Sequence, residues 1–300
     1  MEAERHHALG RWLGEQTGHR HASRPAGEVH GGSVHRCLRW PAAGGDAFVK
    51  VAAASQLAAF EVEAAGLESL REAQALRVPC VHAVGLVAGT AVLALEWLAL
   101  SPPDAASPEV QARLGERLAS QHRVQAARFG WSRDNTLGAT PQPNAEDDDW
   151  VRFYRQRRLG HMLTLAQAAG LDPRIVDRGE RLLDRCGQFF EDHCPVPSLL
   201  HGDLWGGNWS ALARSREPVI YDPAVYFGDR ETDIAFTRLF GGFGRAFYAA
   251  YEAAWPPDPG AGTRTTLYNL YHVLNHHVLF GGGYARQAQH MIDGLLAEVR

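Results

Sequence analysis

Short apolar runs and one amphipathic segment set the pattern of the first hundred residues. Four runs, each bounded by Gly, Pro or Asp, predict β-strands at residues 36–40, 47–51, 80–87 and 91–97. Between the second and the third run, apolar side chains recur at helical spacing, which predicts one long helix over residues 55–74. A shorter helix is predicted ahead of the strands. This part of the chain therefore predicts a small sheet accompanied by a long helix.

The pattern changes after the Pro- and Ser-rich segment 101–108, which predicts a boundary between two lobes. Beyond it, helical spacing prevails and helices are predicted near residues 108–128, 150–169, 173–192, 230–239, 244–254, 264–280 and 284–298. Residues 198–224 break this pattern with short apolar runs separated by Gly, Asn and Pro, as expected of strands around a functional loop. We therefore predict two domains, residues 1–98 and residues 99–300.

Composition narrows the class of protein. Hydrophobic residues make up 45% and charged residues 21% of the 300-residue chain, which is typical of a folded protein. The formal charge of −4 and the pI near 6.4 argue against nucleic acid as a partner, since they provide no broad positive field. The four cysteines are too few for a disulfide framework in a chain of this size, so we expect reduced thiols. With no long apolar run and an acidic N-terminus, the sequence predicts no membrane association and a cytoplasmic location.

Lysine occurs once in the chain. Of the 30 lysine and arginine residues, only Lys50 is a lysine. An ammonium is a compact point charge and a guanidinium a planar fork, so the one lysine suggests a site that only a point charge fits. Lys50 ends a predicted strand, in the position from which a kinase lysine reaches the α and β phosphates. Glu63 lies on the apolar stripe of the predicted helix, where a carboxylate needs a partner, and Lys50 is the candidate.

The strongest chemical signal is the segment HGDLWGGN at residues 201–208. Asp203 and Asn208 are five residues apart, the spacing of the protein-kinase catalytic loop, and Asp222 ends a following apolar run. Phosphoryl transfer needs a carboxylate at the attacking hydroxyl and oxygen ligands for magnesium. We therefore predict that Asp203 is the catalytic carboxylate, that Asn208 and Asp222 bind Mg²⁺, and that ATP donates the phosphate.

Two other segments have patterns typical of nucleotide binding, but the same patterns also occur in segments that have only a structural role. Gly31, Gly32 and Ser33 can form a turn whose backbone N–H groups face phosphate oxygens, or an ordinary hairpin turn. Glu96 and Leu98 follow an apolar strand, as in a hinge that holds adenine, or simply where a core strand ends at a lobe boundary. Both segments are predicted to contact the cofactor.

Two residues near the predicted catalytic loop suggest structural roles. Asp233 opens an apolar helix and can hydrogen-bond back to the loop, although helix N-terminal carboxylates are common for capping alone. His201 is expected to order the backbone beside Asp222 rather than to transfer protons.

Longer segments carry a resemblance to a known family. They are LLHGDLWGGNW at 199–209, VIYDPAVYFGDRETDIAFTRLFGGF at 219–243, FGWSRDNTLGATPQPN at 129–144, DWVRFYRQRRL at 149–159 and LNHHVLFGGGY at 274–284. In these segments the chain resembles the fructosamine kinase (ketosamine 3-kinase) family, which is related to aminoglycoside phosphotransferases and choline kinases. The resemblance implies an α+β, protein-kinase-like fold of two lobes, with a small antiparallel sheet and a helix in the N-lobe and a mainly helical C-lobe.

The resemblance also implies a reaction. Such kinases phosphorylate the sugar of ketosamines, on small amines or on glycated protein lysines, and the 3-phosphate then eliminates to free the amine. The roles predicted above are implied for Asp203, Asn208, Asp222 and the Lys50 pair, and Trp205 is expected to shape the substrate pocket or to pack the loop. A ribulosamine or a shorter sugar is favoured over a fructosamine. A kinase of another hydroxyl, such as that of an aminoglycoside or choline, and a non-catalytic nucleotide-binding pseudokinase stay open as alternatives.

Overall fold

The structure, a computed structural model, describes residues 2–29, 35–101 and 106–299. The chain divides into two units, the first built from Met1–Val110 with Gly207–Pro223 and the second from Gln111–Gly206 with Ala224–Arg300. The first unit is therefore made from two separate stretches of the chain. The domain limits expected from the sequence, residues 1–98 and 99–300, stay a prediction.

The first unit contains a five-stranded antiparallel sheet with strand order β1-β2-β3-β5-β4. Its strands are β1 (Gly27–Glu28), β2 (Arg36–Trp40), β3 (Ala47–Ala53), β4 (Val81–Val87) and β5 (Thr90–Glu96). The helices are α1 (Glu2–Thr17) and α2 (Leu57–Glu72). A smaller sheet in the order β11-β10-β6 joins β6 (Leu100–Ser101), β10 (Trp209–Leu212) and β11 (Pro218–Ile220). The predicted strands and long helix are confirmed.

The core of the first unit explains why α1 is held on the sheet. Leu9 and Leu13, one helical turn apart on α1, are buried together with Trp40 at the end of β2 and Val49 in β3. Burying a large apolar side chain contributes about 1.5–3 kcal/mol relative to leaving it exposed. The indole nitrogen of Trp40 donates to the carbonyl of Ala22 at 2.8 Å, so the buried ring keeps a polar partner.

The second unit is mainly helical. Its helices are α3 (Pro108–His122), whose first turn is counted with the first unit, α4 (Trp150–Tyr154), α5 (His161–Ala168), α6 (Pro173–Arg185), α7 (Glu231–Leu239), α8 (Arg245–Ala254), α9 (Ala261–Phe280) and α10 (Tyr284–Glu298). Two strand pairs accompany them: β7 (Asn135–Leu137) with β8 (Thr140–Gln142), and β9 (Ser198–Leu200) with β12 (Tyr226–Gly228). The mixed architecture confirms the predicted α+β class.

The structure adds detail where the sequence pattern is weak. A π-helical segment, Arg155–Gly160, connects α4 to α5, so the single helix predicted at 150–169 contains a wider turn. Short strands such as β7 and β12 lie where only loops were predicted, because three residues are too few to show an alternating pattern. Within the described ranges, every helix is too short or too polar to span a lipid bilayer.

Candidate active site

Lys50 lies at the centre of the charged groups of the first unit. The strand β3 carries it into the interior, where only 5% of the residue is exposed. Its ammonium group donates to Glu63 Oε1 at 2.7 Å and to Asp222 Oδ1 at 2.6 Å. Burial alone would lower the pKa of Lys50, but these two carboxylates outweigh it and raise the pKa. The predicted ion pair between Lys50 and Glu63 is therefore present, and Asp222 is a second carboxylate partner of Lys50.

Glu63 is the more buried of the two carboxylates that contact Lys50. It lies on α2 and faces Lys50, as its place on the apolar stripe of the helix predicts. Burial raises the pKa of Glu63, and the negative charge of Asp222 adds to this, while Lys50 opposes both. Because an unpaired buried carboxylate would be costly, the ammonium of Lys50 is what allows Glu63 to stay inside.

Asp222 and Asn208 come together at the end of the small sheet. Asp222 follows β11 and has φ = 56°, in the left-handed region that a residue other than glycine adopts at some cost in energy. Asn208 precedes β10, and its side-chain nitrogen donates to the backbone carbonyl of Asp222 at 3.4 Å. Strained backbone of this kind clusters at functional sites. The side chain of Asn208 therefore contacts the backbone of Asp222, and the two residues carry amide and carboxylate oxygens of the type that Mg²⁺ prefers.

A cavity of about 320 Å³ opens beside this cluster within the first unit. Lys50 and Asp222 line one part of it, and Glu96 and Leu98 line another, together with the apolar side chains Val29, Phe48, Leu95, Trp97 and Leu100. Cys37 lines it too, and burial raises the pKa of its thiol, so this cysteine is a packed and unreactive group. An apolar slot that ends in a charged cluster has the chemistry expected of a nucleotide site.

Glu96 contributes to the cavity through a structural clamp. Arg77 donates to both of its carboxylate oxygens at 2.5 Å, and the backbone N–H of Cys80 donates to Oε2 at 3.1 Å. Burial alone would raise the pKa of Glu96, but these donors lower it. The carboxylate therefore holds the end of β5 in place. The predicted phosphate turn of Gly31, Gly32 and Ser33 lies outside the described residues.

The predicted catalytic loop begins in the second unit, where Asp203 follows β9. The loop turns at Gly202, which has φ = 80°, and a Cβ atom there would lie 2.0 Å from the carbonyl oxygen of Ala224. The backbone N–H of Ala224 donates to the carbonyl of His201 at 2.9 Å, and the N–H of Asp203 donates to His201 Nδ1 at 3.2 Å. His201 is fully buried and orders the backbone, as its sequence position suggests.

Asp233 braces the same loop from α7. Its carboxylate accepts the backbone N–H of His201 at 2.8 Å and that of Gly202 at 2.9 Å. His122 bonds to Asp233 through Nε2 at 3.1 Å, and its other ring nitrogen bonds to the hydroxyl of Tyr251 at 2.8 Å. Burial alone would raise the pKa of Asp233, but the bond from His122 and the backbone donors lower it. The carboxylate thus stays charged, and the predicted back-bond to the loop is confirmed.

Sequence reasoning missed a second brace. Gln142 and Asn135, in the β7–β8 hairpin, donate to the backbone carbonyls of Ala224 at 3.2 Å and of Val225 at 2.8 Å. They bond to each other at 2.8 Å, and both are buried. The available signal was a cluster of amide side chains between residues 135 and 144, in a stretch with no helical or strand periodicity.

Trp205 is the exposed member of the loop. With 38% of its surface accessible, it differs from the neighbouring Leu204, which is fully buried. The next residue, Gly206, packs against the glycines after α7, since a Cβ atom on it would lie 3.0 Å from the carbonyl oxygen of Gly241. Trp205 therefore presents a ring at the surface of a loop whose backbone is tightly held.

Comparison with known proteins gives the relationship. The sequence profile described as "Fructosamine kinase" matches residues 6–298. The chain belongs to the fructosamine kinase family. It is 46% identical over 253 residues to a Synechocystis protein assigned as a ketoamine kinase, covering 83% of this chain and 82% of that protein. It is 40% identical over 273 residues to a chloroplastic protein-ribulosamine 3-kinase of Arabidopsis thaliana, covering 90% of this chain and 82% of that protein.

Solved structures agree with this family assignment and show that other phosphotransferases share the fold. A crystal structure from Thermobifida fusca assigned to fructosamine-3-kinase superposes with a TM-score of 0.85 at 30% identity, over 97% of this chain and 99% of that one. An aminoglycoside phosphotransferase superposes with a TM-score of 0.65 at 16% identity, over 97% of this chain and 98% of the other, which shows a shared fold alone. The predicted protein-kinase-like fold is confirmed, and as a fructosamine kinase family member the chain is a phosphotransferase.

Proposed function

We propose that this chain transfers the γ-phosphate of ATP to the 3-hydroxyl of a ketosamine, with a ribulosamine favoured over a fructosamine. The observation that supports ATP-dependent transfer is the single lysine of the chain, buried between Glu63 and Asp222 at the end of an apolar cavity. The family relationship supports the substrate class. We propose residues 1–98 as the ATP-binding lobe and residues 99–300 as the catalytic and substrate lobe.

In this proposal the first unit holds the nucleotide. The apolar walls of the cavity, with Glu96 and Leu98 at its rim, accept the adenine, and Lys50 places its point charge on the α and β phosphates. Asn208 and Asp222 would hold magnesium, because their side-chain oxygens suit a hard cation and the side chain of Asn208 contacts the backbone of Asp222. When bound there, magnesium would offset the phosphate charge that develops during transfer.

Asp203 acts on the acceptor. Its carboxylate orients the sugar hydroxyl and accepts the hydroxyl proton as the oxygen attacks phosphorus. The loop carrying it is fixed by Asp233 and by the contact of Gly202 with Ala224, so the carboxylate is held in place before the substrate binds. Positioning of this kind is the main contribution a protein makes to phosphoryl transfer.

Trp205 contributes to substrate binding. Its exposed indole offers a flat apolar face, against which the C–H groups of a polyol can lie while the hydroxyls reach polar partners. In the proposed reaction the amine carrier is a small molecule or a protein lysine, because the sugar is the part that reaches Asp203. The product would lose its 3-phosphate as inorganic phosphate, and hydrolysis of the resulting imine by water would free the amine and leave a deoxy-dicarbonyl sugar.

The test mixes enzyme, ATP and Mg²⁺ with synthetic ribulosyl-lysine or fructosyl-lysine and follows the phosphorus NMR spectrum. We expect a sugar phosphate ester from ribulosyl-lysine first, followed by release of lysine and inorganic phosphate. Trp205→Ala should lower kcat/KM for the ketosamine by about tenfold and leave the affinity for ATP unchanged. Phosphorylation of an aminoglycoside or choline with neither ketosamine consumed would contradict the proposed substrate class.

A further inference from the structure

Two pairs of rings run from the brace of the catalytic loop to the surface of the second unit. Phe236 on α7 and Phe240, the residue that follows this helix, lie about one turn apart, and on α9 so do His272 and His276. Phe236 stacks on His272 with ring centroids 3.6 Å apart and ring planes 4° apart, and Phe240 contacts His276 at 4.8 Å. Phe236 lies one turn along α7 from Asp233, the residue that braces the catalytic loop.

Phe240 and His276 belong to a larger aromatic cluster at the surface. The ring of His276 lies 5.6 Å from that of Phe280 and 5.2 Å from that of Tyr284. Phe240 is 42% and Phe280 is 68% exposed, so much of the two rings faces solvent. Scattered exposed apolar side chains are ordinary, but adjoining exposed rings around one imidazole have the form of a binding surface.

The hydrogen bonding of His276 determines what the cluster can recognise. Its Nδ1 lies 2.8 Å from the backbone carbonyl of His272, and since a carbonyl oxygen only accepts, Nδ1 carries the hydrogen. In a neutral ring, Nε2 then has a lone pair and acts as an acceptor. Burial lowers the pKa of His276, against the opposing effect of the bond to His272, so the ring is neutral at neutral pH. The cluster therefore combines aromatic faces with one hydrogen-bond acceptor.

The cluster is tied to the catalytic loop by the chain that follows Phe240. Gly241 and Gly242 have φ values of 75° and 92°, which glycine adopts without strain. A Cβ atom on Gly242 would lie 2.7 Å from the Cα of Gly206, three residues after Asp203, so the two backbones touch. Phe240 is thus anchored one residue from the glycines that pack on the catalytic loop.

We propose that Phe240, His276, Phe280 and Tyr284 form a subsite for the protonated amine of the ketosamine. This inference rests on the proposed function. A ketosamine carries a secondary ammonium next to its sugar, and a cation of this kind is attracted to aromatic faces. One ammonium N–H donates to Nε2 of His276, while the apolar chain of the amine lies on Phe280. The subsite recognises the ammonium through rings and a neutral acceptor, without a carboxylate among these four residues.

The test compares two synthetic acceptors that share the sugar. One is ribulosyl-butylamine, which carries the ammonium, and the other is the 1-O-butyl ether of ribulose, which does not. We expect His276→Phe, which keeps a ring but loses the acceptor, to raise KM for the amine about fivefold with kcat within about twofold. Phe280→Ala should raise the same KM about threefold and that of the ether by less, because both acceptors place a butyl chain on Phe280 and only the amine adds a cation. His276→Phe should leave kcat/KM for the ether unchanged.

Val196→Ala is the control, because Val196 is exposed in the same unit and lies outside the cluster. Thermal unfolding of each variant verifies that the fold is kept. If both variants weaken the amine and the ether equally, or neither, the amine subsite is wrong while the kinase proposal stands. If the unaltered enzyme phosphorylates neither acceptor, the proposed function is wrong and the subsite falls with it.

Discussion

Lys50 in the first unit and Arg158 in the second are both buried cations, yet their surroundings differ in kind. Lys50 contacts two carboxylates, Glu63 and Asp222, and lines an open cavity. Arg158 has none of its surface exposed, and within the part of the chain that the structure describes it has no carboxylate in ion-pair range. Among the described residues, Lys50 therefore has two negative partners and Arg158 has none.

The two terminal nitrogens of the Arg158 guanidinium find acceptors in the protein itself, while its Nε has no hydrogen-bond partner among the described residues. The guanidinium donates to the carbonyl of Pro143 at 2.7 Å and to Asn144 Oδ1 at 2.6 Å, and it lies over the rings of Tyr226 at 3.9 Å and Phe153 at 4.7 Å. A planar fork suits this pattern of acceptors and rings, whereas an ammonium would not. In the proposed function Lys50 is a ligand-directed cation, which serves a bound nucleotide, whereas the contacts of Arg158 make it a fold-directed cation, which holds the fold together.

The largest effect is expected where a ligand-directed charge does chemistry. Asp203→Asn should reduce kcat by at least about a hundredfold, since the amide cannot accept the hydroxyl proton, while ATP affinity changes little. Steady-state kinetics with ribulosyl-lysine and isothermal titration with ATP measure the two quantities. Asp184→Asn, at an exposed position on α6, is the control. Near-normal turnover of Asp203→Asn would exclude this residue as the catalytic carboxylate.

The next largest effect is expected at Lys50, the ligand-directed cation itself. Lys50→Arg should lower kcat/KM about thirtyfold, because the bulkier fork cannot place a point charge between Glu63, Asp222 and the phosphates. The melting temperature should change little, since the charge and both carboxylates remain. Arg39→Lys, at an exposed ion pair with Asp46, serves as the reverse exchange in the same sheet and should leave activity unchanged. Full activity of Lys50→Arg would make the lone lysine a coincidence.

Ligand-directed groups were easier to predict from the sequence than fold-directed ones. Lys50, Glu63 and Asp222 stand out because a strand end, an apolar stripe and a kinase-like spacing are local patterns, and the structure brings all three together. Arg158 gives no such signal. Its partners lie in the hairpin segment up to Asn144 and in β12, and only the folded chain brings these together.

The elements follow the same rule. Long periodic segments such as α2 and α9 were predicted, whereas the π-helical turn at Arg155–Gly160 and the β7–β8 hairpin were not. A π-helical turn is rare and occurs mostly as a single turn within an α-helix, so helical spacing of apolar side chains does not reveal it. Residues that hold the catalytic loop from a distance, such as Gln142, are polar groups in irregular segments, so hydrophobic periodicity cannot identify them.

Arg158, the fold-directed cation, should respond to the opposite exchange, from arginine to lysine. Arg158→Lys should destabilise the protein by about 2 kcal/mol, because the ammonium loses the fork geometry and the stacking on Tyr226 in a fully buried site. Urea unfolding measures this loss. Arg155→Lys, at an exposed ion pair in the same helical turn, should change stability by less than about 0.5 kcal/mol. A stable Arg158→Lys with reduced ATP affinity would reverse the contrast with Lys50.

The smallest effect concerns a third kind of buried charge, one that depends on pH. His193 bridges two carboxylates of the second unit, with Nε2 2.7 Å from Asp229 and Nδ1 2.6 Å from Asp258. Burial alone would lower the pKa of His193, but the bond and charge of Asp229, with the charge of Glu231, outweigh it and raise the pKa above 6.5. Arg264 bonds both oxygens of Glu231, at 2.7 and 3.0 Å, so a cation already balances that carboxylate.

The sign of the pH dependence follows from the raised pKa. The folded state holds the proton of His193 more tightly than the unfolded state, so this stabilisation is complete below pH 6.5 and disappears as the pH rises through the folded pKa. Since Asp258 is 46% exposed and water screens its charge, we expect only about 1 kcal/mol. Urea unfolding at about pH 6 and pH 8.5 should show this loss in the unaltered chain and a smaller one in His193→Gln, which keeps one donor but cannot be charged. His290→Gln, on α10, is the control and should retain the full pH dependence, whereas an equal loss in His193→Gln would show that His193 is neutral in the fold.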